Sequence, residues 1–138
     1  MAVGMLIVTH DRIGEAILQT ARRMLGKLPM HALCLTVGLD ADPECLSAEA
    51  KRLLERLDDG DGVIVLTDMY GSTPSNIAYR LMQSGRVHVI SGINLPMLIR
   101  TLNYAALDLE ALTEKARSGG QEGIFCSSTT ATELSDPC

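Results

Sequence analysis

Short, unbroken apolar runs alternate along the chain with longer stretches in which apolar residues return every three or four positions. Val3–Val8 (VGMLIV) is the first run, and such continuous apolarity marks a strand covered on both faces. Gly14 to Leu25 reads as a helix, with Ile13, Ala16, Ile17, Ala21 and Met24 at helical spacing and Gly26 placed to end it. His31–Val37 predicts a second strand. Asp42-Pro43-Glu44 then opens a helix to about Leu57, with Asp as N-cap and Pro at the first helical position. Asp58–Gly62 is a turn, and Val63–Thr67 (VIVLT) is the clearest strand. Ser72-Thr73-Pro74 repeats the cap-then-proline start and predicts a helix to about Met82. Val87–Ile90 predicts a fourth strand, followed by helices over Pro96 to Tyr104 and Asp108 to Arg117. Gly119-Gly120 reads as a turn, Gly123–Ser127 as one short last strand, and the polar tail from Ser128 as loose chain.

This alternation predicts an α/β fold, a mainly parallel sheet with helices on both faces. Right-handed crossovers and the short length favour the doubly wound strand order 2-1-3-4. Neither repeats nor a linker interrupt the pattern, so residues 1–127 read as one domain and 128–138 as a tail. In this order the first and third strands are neighbours, and the chain changes direction between them. Ligands of open α/β sheets sit at the carboxyl ends of strands at that point.

Two residue types stand there. Thr9-His10 follows the first run directly, and Asp68 follows the third, leading into Met69-Tyr70-Gly71-Ser72-Thr73-Pro74. A carboxylate beside one ring nitrogen fixes the tautomer and leaves the other nitrogen free as a nucleophile. The helix start at Ser72–Pro74 offers free N–H groups and the positive end of a helix dipole to an anion. Gly71 allows close backbone approach, Ser72 and Thr73 add hydroxyls, and Gly92-Ile93-Asn94-Leu95-Pro96 forms a further wall. Singly, each piece has a bland explanation: a solvated histidine, a turn-forming aspartate, an ordinary cap. Their joint placement at adjacent strand ends points to phosphate chemistry. His31 and His88 lie elsewhere in the pattern and read as structural.

Composition narrows the classes. With 46% apolar and 21% charged residues, the 138-residue chain has a soluble balance and length enough for a core. A net charge of −5 and only three Tyr and one Phe leave no basic stripe or stacking platform, so nucleic acid is not an expected partner. No apolar run approaches the ~18 residues of a bilayer span, so no membrane insertion is expected. The apolar opening lacks a basic leader, which argues against a signal peptide. The four cysteines show no CxxC spacing or framework, so reduced thiols in the cytoplasm are expected, with Cys34 as core packing. GxxxxGK[ST], GxGxxG after a strand, GxSxG and metal-spaced clusters are all missing, and His10-Asp11 is a poor stand-in for a receiver's acidic pair. Neither a metal nor a cofactor is expected.

Three segments together carry a resemblance: Ile7-Val8-Thr9-His10, then Leu66 to Asn76 (LTDMYGSTPSN), then Gly92 to Leu98 (GINLPML). In order and spacing the chain, over roughly residues 1 to 126, resembles the mannose-family (mannose/fructose/sorbose) IIA domains of the bacterial phosphoenolpyruvate:sugar phosphotransferase system. The resemblance implies that His10 is phosphorylated on Nε2 by the histidine phosphocarrier protein. It also implies that Asp68 pairs with His10 at Nδ1, and that Ser72 and Thr73 line the phosphoryl site beside Gly71. It further implies a homodimer that exchanges the last short strand, here Gly123–Ser127. Ser72 stands where many relatives carry a second glycine. No IIB portion lies within the 138 residues, so the acceptor is expected to be a separate IIB component or, alternatively, a regulatory target. A non-catalytic anion-binding module is the third reading.

Overall fold

The computed structural model describes residues 2–129. Four parallel strands form one sheet in the order β2-β1-β3-β4: β1 (Gly4–His10), β2 (Ala32–Val37), β3 (Val63–Thr67) and β4 (Val87–Ser91). Five helices connect and cover them: α1 (Ile13–Leu25), α2 (Pro43–Leu57), α3 (Thr73–Arg80), α4 (Leu95–Asn103) and α5 (Leu109–Glu122). The doubly wound order read from the hydrophobic pattern is the observed one. Among the described residues no helix is long and apolar enough to cross a membrane.

The period-two geometry of β1 divides the core into two layers. Met5 and Ile7 face one side with Ile64 and Leu66 of β3, under Leu18 and Ala21 of α1, Leu98 of α4 and Leu112 of α5. Leu6 and Val8 face the other side with Val63 and Val65, under Leu53 and Leu57 of α2 and Ile77 of α3. Each of these strand residues is fully buried. At about 1.5–3 kcal/mol per buried large apolar side chain, this double burial pins the register of the two central strands.

Local chemistry sets the helix starts. Asp42 accepts the Glu44 N–H at 3.1 Å, Asn94 the Met97 N–H at 2.8 Å, and Asp108 the Ala111 N–H at 2.9 Å. A central strand also approaches a helix end closely at Gly4, where a Cβ would lie 2.6 Å from the Leu57 carbonyl oxygen. That neighbour is backbone and cannot swing aside. Gly4→Ala is therefore expected to cost about 1–3 kcal/mol, read as a lower midpoint in urea unfolding.

Several boundaries differ from those read in the sequence. The first strand runs on through Thr9 to His10, which pairs with Val37. The third helix ends at Arg80, and Leu81–Gln83 tighten into a 3-10 turn. Gly119 and Gly120 are not a turn but lie inside α5, where the backbone passes close to α4. A Cβ on Gly119 would lie 2.8 Å from Arg100 Cβ, and one on Gly120 2.6 Å from Met97 Cε. The glycines serve helix–helix contact, at the expense of helix propensity. Gly123–Ser127 forms no strand within this chain, and Ile124 and Phe125 are exposed. The expected tail is described only as far as residue 129; Cys138 lies outside the described residues.

Candidate functional site

β1 and β3 run side by side, with Val8 level with Thr67. Two residues further on is His10, the last of β1, and one residue further on is Asp68, the first beyond β3. Both side chains therefore rise from neighbouring strand ends at the carboxyl edge of the sheet. His10 Nδ1 lies 2.8 Å from Asp68 Oδ2, and the same oxygen accepts the His10 backbone N–H at 2.9 Å. Asp68 Oδ1 accepts the Met69 N–H at 2.9 Å, so both carboxylate oxygens are engaged. An ionised carboxylate only accepts, so this partner assigns the ring proton to Nδ1 and leaves the lone pair on Nε2.

The exposure of the pair is unequal. Asp68 is 11% exposed and His10 36%, so the orienting group is sheltered and the ring remains accessible. Burial pushes the Asp68 carboxyl up, but the hydrogen bonds from His10 and the charge of its ring together outweigh burial, leaving the carboxyl below its ordinary value of 3.8. A carboxyl with a lowered folded pKa contributes stability above its unfolded value and loses it as pH falls through the folded one. The stability gap between the parent and Asp68→Asn is thus expected to be full at neutral pH and to narrow on acidification below 3.8, measured by urea unfolding.

The residues after Asp68 build a tight bend into α3. Gly71 has φ +83°, a left-handed conformation open to glycine, and a Cβ there would meet nothing within 4 Å. Glycine is needed at this point for its backbone angle and not for space. Ser72 occupies the N-cap position, yet its hydroxyl donates back to the Met69 carbonyl at 2.5 Å and caps no helix N–H. The first turn of α3, from Thr73, thus has no side-chain cap from Ser72, and Pro74 within it carries no N–H. The fourth loop is tied to the same edge: the Thr67 carbonyl accepts the N–H groups of Gly92 and Ile93, each at 3.0 Å. Asn94 then spans α4 and α5, its Nδ2 donating to the Gly120 carbonyl at 3.1 Å.

The structure brings His10 and Asp68 into direct contact and sets Gly71, Ser72 and Thr73 in the adjoining bend and first helical turn. Sequence reasoning gave no role to the Thr9 hydroxyl. It is buried and accepts the Gly14 N–H at 2.8 Å, satisfying a donor at the start of α1 that Arg12, at the N-cap, leaves uncapped. The signal was a polar residue between Val8 and His10 at a strand end. His88, read as structural, hydrogen-bonds Thr113 Oγ1 at 2.9 Å, away from this edge. Cys34 is half-buried against the core, and burial above all pushes its thiol up to about 11, which keeps it protonated. Among the described residues no group of three or more His, Cys, Asp or Glu is placed to hold a metal ion.

Around His10 the surface is open and partly apolar. Ile13, Leu39, Met69 and Tyr70 are exposed at or beside the carboxyl-edge loops, and Tyr70 packs edge-on against Tyr79 with ring centroids 5.8 Å apart. A small cleft of about 250 Å³ lies between these tyrosines, Gly71, Ser75 and Asn76. An accessible nucleophilic nitrogen on an exposed apolar rim suits contact with another macromolecule.

Comparison with known proteins gives a consistent family. The model of the EIIA-man family, described as the PTS system fructose IIA component, matches residues 4–117. The PTS system mannose-specific EIIAB component of Escherichia coli (strain K12) is 32% identical over 128 residues, covering 90% of this chain but 39% of that protein. The chain thus spans well under half the length of that relative. The mannose/sorbose specific IIA subunit of the phosphotransferase system from Enterococcus faecalis shares the fold, with TM-score 0.85 and 22% identity over 98% of this chain and 100% of its own. The PTS IIA protein associated with the fucose utilization operon from Streptococcus pneumoniae aligns with TM-score 0.75 and 25% identity over 91% of this chain and 96% of its own. With the family model spanning both strand ends that carry His10 and Asp68, the chain belongs to the EIIA-man family of phosphotransferase-system IIA components.

Proposed function

We propose that this chain is a phosphocarrier that accepts a phosphoryl group on His10 from the histidine phosphocarrier protein and passes it to a IIB component. The observation that carries the reading is the 2.8 Å contact between His10 Nδ1 and Asp68 Oδ2, with Nε2 left free at an accessible edge. In the transfer, the Nε2 lone pair attacks the phosphorus of the donor phosphohistidine. The donor's N–P bond breaks in line, and its electron pair returns to the donor imidazole. His10 becomes a phosphoimidazolium with the proton still on Nδ1, and Asp68 offsets the positive charge. Gly71 supplies the bend and Thr73 the hydroxyl and N–H donors for the phosphoryl oxygens, joined by Ser72 when its hydroxyl turns away from the Met69 carbonyl. The protein's work is positioning and charge stabilisation, which is what phosphoryl transfer demands.

Residues 1–127 carry this activity as one domain. The E. coli relative is a mannose-specific EIIAB component, which supports a B component as recipient over a regulatory target. The same family reading includes a homodimer in which Gly123–Ser127 of each chain pairs with the partner. Its support is that β4 ends the sheet while Ile124 and Phe125 are exposed. Light scattering is expected to give twice the chain mass for the parent and the single mass after truncation beyond Glu122.

Incubation with phosphoenolpyruvate and the general proteins of the pathway, followed by intact-mass measurement, tests the proposal. One added phosphoryl group is expected on the parent and none on His10→Ala. Equal labelling of the variant would remove His10 from the mechanism.

A further inference from the structure

We infer that Arg12 is the cation that binds the phosphoryl group on His10, leaving Glu15 to do so. The inference rests on His10 being the phosphoryl acceptor, as proposed above. Charge is unequally distributed between the two edges of the sheet. The carboxyl edge is built by the loops at residues 11–12, 38–42, 68–72 and 92–94. Among the 12 Lys and Arg residues of the chain, all of them within the described residues, only Arg12 lies in these loops. The same loops hold Asp11, Asp40, Asp42 and Asp68, with Glu15 and Glu44 in the adjoining first helical turns. Arg22, Arg23, Arg56, Arg80 and Arg100 stand in the last turns of α1 to α4, at the far edge. That placement complements the helix dipoles and leaves the His10 edge acidic.

A phosphoryl group brings a charge of about −1.5 to −2 to this edge at neutral pH. Asp68 answers the positive ring and not the phosphoryl oxygens, and the helix start supplies partial charges only. Full compensation requires a cation within reach. Arg12 is two residues from His10, so their Cα atoms are no more than about 7 Å apart, a span its side chain covers. Between them Asp11 has φ +48°, the one non-glycine residue in the left-handed region among the described residues, and it turns the chain sharply at the strand end.

The present engagement of Arg12 is weak. Its Nε lies 3.6 Å from Glu15 Oε1, with the two side chains 83% and 50% exposed, and an exposed pair of that length contributes little. Its part in the fold is played by its backbone: the Arg12 carbonyl accepts the Ala16 N–H at 3.0 Å, and the side chain caps nothing. The guanidinium is thus free to exchange a carboxylate on the helix surface for two phosphoryl oxygens, which it matches as a planar fork. During transfer it takes up the charge that spreads onto those oxygens while the Nε2–P bond forms and the donor's N–P bond breaks. No proton moves in the exchange.

Arg12→Gln, Arg12→Lys and the parent are compared in single-turnover transfer from the phosphorylated histidine phosphocarrier protein. The phosphorus resonance of each phosphorylated chain is then titrated. Arg12→Gln is expected to slow the transfer step at saturating donor about tenfold or more, with Arg12→Lys intermediate. The second ionisation of the phosphoryl group should move up in Arg12→Gln, because a neighbouring cation favours the dianion, and a merely structural role would leave it unmoved. Unchanged rate and unchanged titration in Arg12→Gln, with His10 labelled normally, would overturn the inference and leave the carrier reading intact. Absence of label on His10 in the parent would instead overturn the carrier reading itself.

Discussion

Asp68→Asn is expected to slow phosphoryl uptake by His10 about a hundredfold or more while the chain stays folded. Two effects combine in this variant. The amide no longer forces the proton onto Nδ1, so part of the population presents a protonated Nε2 that cannot attack. It also lacks the charge that offsets the phosphoimidazolium as the N–P bond forms. Asp68 Oδ2 currently serves both the ring and the His10 backbone N–H, so the substitution also loosens the end of β1. Rapid-quench measurement of label transferred from the phosphorylated donor reads the rate, and circular dichroism confirms the fold. A rate within twofold of the parent would mean that the carboxylate contributes nothing to transfer.

Gly14→Val is expected to be the most damaging single change near the site that touches no reacting group. A Cβ at this second residue of α1 would lie 2.9 Å from Ile7 Cγ2 and 3.0 Å from Thr9 Oγ1. Both neighbours are held in the central strand, so the helix start must move away. That displacement strains the packing and breaks the 2.8 Å bond from the Gly14 N–H to the Thr9 hydroxyl. Together these cost about 2–4 kcal/mol, which lowers Tm by about 10 °C on the scale of domains this size. Because His10 and Arg12 flank the same turn, phosphoryl uptake should fall in the surviving folded fraction as well. Thermal unfolding and the uptake assay on one preparation separate the two losses.

The sheet was legible because its central strands are buried on both faces. VGMLIV and VIVLT are short, continuous apolar runs typical of strands covered on both faces, and alternation with helices in so short a chain favours the 2-1-3-4 order. The candidate pair was legible for the same reason: once β1 and β3 are neighbours, the residues ending them meet. Where expectation and structure part, the cause is tertiary contact. Gly119-Gly120 carries the local signature of a turn, but packing against Met97 and Arg100 of α4 selects those glycines within a helix. Ser72 has the composition of a cap, yet its hydroxyl finds the Met69 carbonyl first, because Gly71 bends the chain back. Gly123–Ser127 has the apolar content of a strand but pairs with neither edge of its own sheet. The Thr9–Gly14 bond was not legible, since it depends on how closely α1 lies on β1.

The proposed chemistry is attack by a free Nε2 of His10, with Nδ1 held by Asp68, on a donor's phosphoryl group. Nitrogen–phosphorus coupling in the NMR spectrum of the phosphorylated, nitrogen-labelled chain tests it most directly, because it reports which ring nitrogen bears the phosphorus. A single phosphoryl group bonded to Nε2 of His10, with the proton retained on Nδ1, is the expected result. A phosphoryl group on Nδ1, or on any other residue, would contradict it.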